Sequence, residues 1–260
     1  LNAEDAINRG AKIYTNTSII HIKRNRDYWE ISLNNGEILK TKIIINATGP
    51  YAVDVLKNVL GIESKKKLRL IQGSHIIVNE IYKGDQSYIL QLNDKRIIFL
   101  IPYLNKFTLI GTTDHEVSSY EKPEITEEEK QYLINSVNSF VQNEISDKDI
   151  IWTYSGVRPL VEDFNEKASK ITRDYTFEID ESLAPVLTIF GGKLTTYRKL
   201  SEHALEKLTK YLDFSKKSWT SEEILPGGDI GFKREIKIPE RIITRLKDIY
   251  GSKIHKLNDY

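Results

Sequence analysis

Four side chains in this sequence, Arg158, Arg173, His75 and Lys193, stand where they could do chemistry together. Arg158 directly precedes Pro159 in "SGVRPLVED", and Arg173 follows fifteen residues later in "TRDY". Proline confines the residue before it to extended backbone, which fixes where the Arg158 guanidinium starts. Guanidinium groups converging on one point form a fork-shaped receptor for phosphate or carboxylate. The ordinary alternative for each is a salt-bridged surface arginine. His75, in "GSHIIV", sits in a strand-like run and could accept a proton from an alcohol. Its alternative is a hydrogen-bonded structural histidine. His115, beside Asp114 in "GTTDHE", is a second candidate, whereas His21, His203 and His255 are less well placed.

The stretch "LTIFGGKLTTYRKLSEHALEKL" sends a short apolar strand into a helical pattern through Gly191, Gly192 and Lys193, with no loop between. Glycine permits positive φ and close approach of another molecule to the backbone. The first N–H groups of a helix lack intrahelical partners and carry the positive end of its dipole. The junction therefore suits an electron-rich or anionic group, although a Gly-Gly corner is also an ordinary tight turn. Lys193 adds a charge at its mouth. A second junction, "KIIINATGPYAVDVLKNVLG", ends an apolar strand at Thr48 and Gly49, the ligand edge of an open α/β sheet.

Composition removes several other chemistries. The 260 residues contain no cysteine, so disulfides, cysteine-bound zinc and thiol nucleophiles are excluded. No His/carboxylate cluster has metal-ligand spacing, and no Gly-x-Ser-x-Gly elbow is present. Thirty-eight Lys and Arg against 37 Asp and Glu give no global field favouring nucleic acid. The longest apolar run, "IIFLIPY", is strand-sized, and there is no signal peptide. Without methionine and opening mid-pattern, the sequence reads as an internal fragment of a longer chain.

The elements that must position these residues are legible from periodicity. Residues 3–9 predict a helix ending at Gly10. An antiparallel meander follows, with Asn35-Gly36 as a hairpin turn. "LRLIQGSHIIVNE", "SYILQL", "RIIFLIPY" and "FTLIGTTD" predict neighbouring antiparallel strands, the last two joined near Leu104-Asn105. A helix over about 126–142 opens with Thr126 as N-cap and Glu129 three residues on, a capping box. "DIIWTYSGVRPLVED" and "KITRDYTFEID" add strands. On the helix after the glycines, Tyr197, Leu200, Ala204 and Leu208 predict an apolar stripe, with Arg198, Lys199 and Glu202 on a solvated face. The fold class expected is α/β (α+β). Residues 1–61 and 187–212 would form part of a nucleotide-binding sheet, and 62–186 an inserted antiparallel domain. Residues 213–260 would be a linker and the start of a helical domain. A ligand is expected at the seam.

Taken in order, "NATGPYAVDVL", "LIQGSHIIV", "IPYLNKFTLIGTTDHEV", "SGVRPLVED", "ITRDY", "FGGKLTTYRKLSEHALEKL" and "SWTSEEILPGGDI" resemble FAD-dependent glycerol-3-phosphate dehydrogenase across essentially the whole sequence. The resemblance implies a Rossmann-like FAD-binding domain of the glutathione-reductase/amino-acid-oxidase type. It also implies oxidation of sn-glycerol 3-phosphate to dihydroxyacetone phosphate, with electrons passing from flavin to membrane quinone. It places the enzyme peripherally on the cytoplasmic face of the inner membrane, binding no nucleic acid, and leaves a homodimer open. By the same resemblance Arg158 and Arg173 grip the substrate phosphate, His75 is the base at the carbinol, and Lys193 lies by flavin and substrate. Gly191, Gly192, Leu194 and Thr195 would line the isoalloxazine, while Ala47, Thr48 and Gly49 border the nucleotide. In such a site the open helix N-terminus stabilises the electron-rich edge of the ring, and losing one donor of that kind costs on the order of 3 kcal/mol.

The sequence departs from the family in places. The family's Gly-x-Gly-x-x-Gly turn is absent and is expected to precede residue 1, so these 260 residues alone should bind FAD poorly or not at all. Tyr51 replaces a common tryptophan. Three alternatives stay open: an oxidase of the same substrate using O2, a truncated non-catalytic remnant, and an amino-acid oxidase whose arginines hold a carboxylate.

Overall fold

The computed structural model describes residues 2–161, 174–212, 218–229 and 239–259. The chain divides into two compact units, one of Leu1–His21, Ile31–Leu39 and Leu205–Tyr260, the other of Ile22–Glu30 and Lys40–Ala204. The first holds α1 (Asn2–Asn8), stopped at Gly10 with φ +98°. It also carries a helix over Glu240–Tyr250. Arg9 is fixed there by Asp5 at 2.8 Å and Glu223 at 3.5 Å, and lies over the Trp219 ring.

The meander forms as expected: β1 (Ile19–Arg24), β2 (Trp29–Leu33) and β3 (Ile38–Thr41) in the order β1-β2-β3, with Gly36 at φ +87° in the turn. Trp29 is fully buried, its indole N–H donating to the Pro185 carbonyl at 3.0 Å. Arg24 covers the Trp29 ring and donates to Asp180 at 2.6 Å and the Ala184 carbonyl at 2.9 Å.

The second unit contains two sheets. In one, β4 (Ile44–Asn46) runs parallel to β12 (Val186–Gly191), and β11 (Tyr175–Asp180) pairs antiparallel with β12. After β4 a 3₁₀ turn (Gly49–Tyr51) leads into α2 (Ala52–Asp54) and a π turn (Val55–Val59), which stops before Gly61 at φ +68°. The other sheet is antiparallel, ordered β10-β5-β8-β7-β6. It comprises β5 (Leu68–Asn79), β6 (Tyr88–Gln91), β7 (Ile97–Tyr103), β8 (Phe107–Gly111) and β10 (Ile150–Val161). Leu104 and Asn105 both take positive φ in the β7–β8 turn. A strand not expected from the sequence, β9 (His115–Val117), continues the pairing of β5 past the end of β8. Pro159 is tolerated in β10 because that strand is a sheet edge.

α3 (Glu127–Asn138) lies on one face of this sheet, and Leu133, Ile134 and Val137 pack with Ile76, Val78, Ile98, Leu100 and Ile110. Its capping box is present in both directions. The helix ends four residues before the expected 142 because Asn138 turns outward to Ile145. Its amide donates to the Ile145 carbonyl and its oxygen accepts the Ile145 N–H, both at 2.9 Å, pulling the chain back. α4 (Tyr197–Leu208) is preceded by a 3₁₀ turn (Leu194–Thr196), so the helix does not spring directly from the glycines. Ala204 and Leu208 are buried as expected, but Tyr197 is exposed. Glu202 is buried rather than solvated, because Arg198 at 3.2 Å and Lys199 at 3.5 Å neutralise it. Beyond it, α5 (Glu240–Tyr250) runs into a 3₁₀ segment (Gly251–Asp259). Among the described residues no helix is long and apolar enough to cross a membrane.

Because Thr126 caps α3 and α3 closes the core, Thr126→Ala should lower unfolding stability by about 1 kcal/mol. Denaturant titration of the full chain measures this.

Candidate active site

Side chains alternate across a strand, so β5 presents two different surfaces. Gln72, Ser74, Ile76 and Val78 point to α3. Ile71, Gly73, His75 and Ile77 point the other way. The register carries this second face onto the neighbours: Arg158 pairs with Ile71, Gly156 with Gly73, Tyr154 and Gly111 with His75. Three glycines on three adjacent strands thus form a floor, and two functional side chains lie on it.

The Arg158 guanidinium rests over Gly73, where an added Cβ would fall 2.2 Å from Nη1. Its Nη2 donates to Thr112 Oγ1 at 2.9 Å, and its Nη1 to Asp114 Oδ1 at 3.1 Å and the Thr113 carbonyl at 3.4 Å. Both Arg158 and Asp114 are about three-quarters buried. The His75 ring lies over Gly111, whose Cβ would sit 2.1 Å from Cδ2. Tyr154 stacks on it at 4.7 Å with the planes 6° apart. Among the described residues His75 Nδ1 is buried without a hydrogen-bond partner, so no hydrogen bond at that nitrogen fixes the ring. Burial, and then the Arg158 charge, hold His75 below its ordinary pKa of 6.5, so at neutral pH the ring is an uncharged base.

Behind the floor, Glu129 is buried and accepts four hydrogen bonds. Ser74 Oγ at 2.8 Å and the Thr113 hydroxyl reach Oε1; Gln72 Nε2 at 3.0 Å and the Thr126 N–H at 2.9 Å reach Oε2. Burial raises its pKa, but the bonds from Thr113, Thr126, Ser74 and Gln72 outweigh that and hold it below the usual carboxylate range.

The glycine corner lies close by. Gly191 and Gly192 take φ +71° and +94°. A Cβ on Gly191 would fall 2.8 Å from the Asp174 carbonyl oxygen and 3.8 Å from that of Pro159, the residue after Arg158. Lys193 is extended and exposed, and its N–H donates to Thr196 Oγ1 at 3.2 Å. Leu194 is 89% exposed and Thr195 is also exposed, so bare backbone and an uncovered apolar side chain share one edge. The Gly49–Tyr51 turn contacts both β10 and β12, which brings the "NATGP" junction to the same region. Ala47 and Thr48 are exposed there. Buried Asn46 ties the junction together, donating to the Ala52 carbonyl at 2.9 Å and accepting from Thr48 Oγ1 at 2.6 Å.

A family model described as FAD dependent oxidoreductase (DAO) matches residues 1–198. The chain belongs to the FAD-dependent oxidoreductases. It is 42% identical over 242 residues to aerobic glycerol-3-phosphate dehydrogenase of Escherichia coli K12, covering 90% of this chain and 48% of that protein. D-erythritol 1-phosphate dehydrogenase of Brucella abortus is 38% identical over 88% of this chain and 47% of its own length. The chain therefore spans about half the length of these curated relatives. The fold matches the crystal structure of the Bacillus halodurans glycerol-3-phosphate dehydrogenase complexed with FAD, with a TM-score of 0.81 at 23% identity over 99% of this chain and 54% of that one.

Within this oxidoreductase the fold brings His75, Arg158, Gly191 and Gly192 into one region. Arg173 lies outside the described residues. His115 is exposed on β9 and pairs with Gln72, on the opposite sheet face from His75. His203 instead bonds the Tyr175 hydroxyl at 2.6 Å. Sequence reasoning missed the Thr112–Asp114 grip on Arg158, the Tyr154 stack and the glycine floor. The hydroxyl-rich strand end "GTTD" was the available signal for the first; glycine at matched strand positions, knowable only with the register, was the signal for the last.

Titrated by NMR in the full chain, His75 should protonate with a midpoint below 6.5. Arg158→Ala should raise that midpoint without restoring 6.5, because burial remains. The stability associated with the neutral ring should be complete above 6.5 and fall as pH drops toward the folded-state midpoint.

Proposed function

We propose that this chain carries the substrate half of an FAD-dependent enzyme that oxidises sn-glycerol 3-phosphate to dihydroxyacetone phosphate. The observation that carries the reading is the shared glycine-floored face holding the Arg158 guanidinium and the uncharged His75 ring. Gly73 beneath the guanidinium and Gly111 beneath the ring are diagonal neighbours on adjacent strands, about 7–8 Å apart. That span suits a phosphate and a carbinol carried on one three-carbon molecule. The similarity to relatives named for polyol phosphates supports the same substrate class.

In this mechanism Arg158, with Arg173, holds the phosphate through charge-assisted hydrogen bonds. His75 takes the carbinol proton on Nε2 while Tyr154 keeps the ring plane fixed. Bound FAD supplies the hydride acceptor. Gly191, Gly192, Leu194 and Thr195 would hold its ring, Lys193 would add positive charge beside ring and substrate, and Ala47, Thr48 and Gly49 would border its nucleotide portion. The open N–H groups at Leu194 and Thr195 would face the electron-rich ring edge. Electrons then pass to membrane quinone, with the enzyme peripheral on the cytoplasmic face of the inner membrane.

Arg158→Ala in the full-length FAD-bound protein should raise KM for glycerol 3-phosphate at least tenfold, far more than it raises KM for free glycerol. Equal effects on both substrates would remove Arg158 from the phosphate site. Oxygen consumption with peroxide formation in the absence of quinone would reassign the acceptor to O2.

A further inference from the structure

We propose that Glu129 is a positioning residue that sets the Arg158 anion receptor by holding Thr113, a role separate from its place in the helix cap. This rests on the phosphate-binding reading of Arg158.

Glu129 is the third residue of α3, and its Oε2 does what a capping-box glutamate does, accepting the Thr126 N–H at 2.9 Å. Oε1 does something the cap does not require. It accepts the Thr113 hydroxyl and, at 2.8 Å, that of Ser74, and so reaches the near face of β5 and the segment just beyond β8. Thr113 is fixed from both sides, since its Oγ1 also accepts the Ser74 N–H at 2.9 Å. Its carbonyl is in turn one of the three consecutive acceptors that grip Arg158, between Thr112 Oγ1 and Asp114 Oδ1. The chain of contacts runs from carboxylate to hydroxyl to backbone to guanidinium. Glu129 lies at the far end of that chain, behind the floor, and the guanidinium alone would meet the anion.

Hydrogen-bond direction makes the role separable. All four partners of Glu129 donate: the Thr126 backbone N–H cannot reverse, the Gln72 amide is held as a donor by also donating to the Glu124 carbonyl at 2.9 Å, and the two hydroxyls can reverse. A glutamine fits the same volume and can keep its oxygen toward Gln72 and Thr126, preserving the cap. Its amide then points at Thr113 and Ser74 and donates where the carboxylate accepted. Thr113 Oγ1 already accepts from the Ser74 N–H, so it would receive a second donor and lose its own acceptor. The cap survives and the Thr113 frame does not.

The test compares Glu129→Gln, Glu129→Ala and Thr113→Val in the full-length FAD-bound protein, reading thermal stability, the KM and kcat for glycerol 3-phosphate, and inorganic phosphate binding by calorimetry. Glu129→Gln should stay within a few degrees of the parent in Tm, weaken phosphate binding and raise KM about five- to tenfold, and leave kcat within twofold. Thr113→Val should reproduce the KM and phosphate effects, and the double variant should be no worse than either single one. Glu129→Ala should lose stability as well. Parent-like phosphate affinity in Glu129→Gln, or losses in KM and kcat that only track Tm across all three variants, would overturn the proposal. If the parent binds phosphate but does not oxidise glycerol 3-phosphate, the functional reading fails while the phosphate measurements still decide the role of Glu129.

Discussion

The alternation of side chains along β5 is the constraint on which the site depends. Twelve residues of one strand must cover a hydrophobic core on one side and present chemistry on the other. Ile76 and Val78 meet α3 on the first side; Gly73 and His75 occupy the second. A shift of one residue in the β5–β10 register would exchange these faces and place Arg158 against α3. Eleven paired positions with β10, the buried α3 contacts and the Glu129 hydrogen bonds all hold that register against slipping.

Glycine in mid-strand sacrifices about 0.5–1 kcal/mol relative to alanine. Here Gly73 and Gly111 do so where a Cβ would occupy the space of the guanidinium and of the imidazole. Burial then acts on the two groups in different ways. Arg158 keeps its charge because Asp114 and two threonines satisfy it, and that charge joins burial in keeping His75 neutral. One cation thus lowers its neighbour's proton affinity and, on the proposed reading, would also receive the substrate anion.

Much of this was legible in the residues alone. The strand-sized apolar runs in "HIIV" and "RIIFLIP", the Asn35-Gly36 turn and the Thr126–Glu129 box each act locally, so local pattern predicted them. The positive φ of Gly191 and Gly192 followed from the same reasoning. What escaped were effects of tertiary partners. Glu202 reads as a surface glutamate, and only its two cationic neighbours explain its burial. Asn138 ended α3 early through a partner seven residues away. The glycine floor needs three strands in register before Gly73, Gly111 and Gly156 become neighbours. Glu129 was recognisable as a cap but not as a link to Thr113.

The central claim is that Gly73 leaves the space in which the Arg158 guanidinium is held as an anion receptor. Calorimetric titration of inorganic phosphate into the full chain and its Gly73→Ala variant tests this most directly. The added methyl displaces the flexible end of Arg158 rather than any backbone, so the variant should fold normally and bind phosphate at least tenfold more weakly. A folded Gly73→Ala protein with unchanged phosphate affinity would contradict the account.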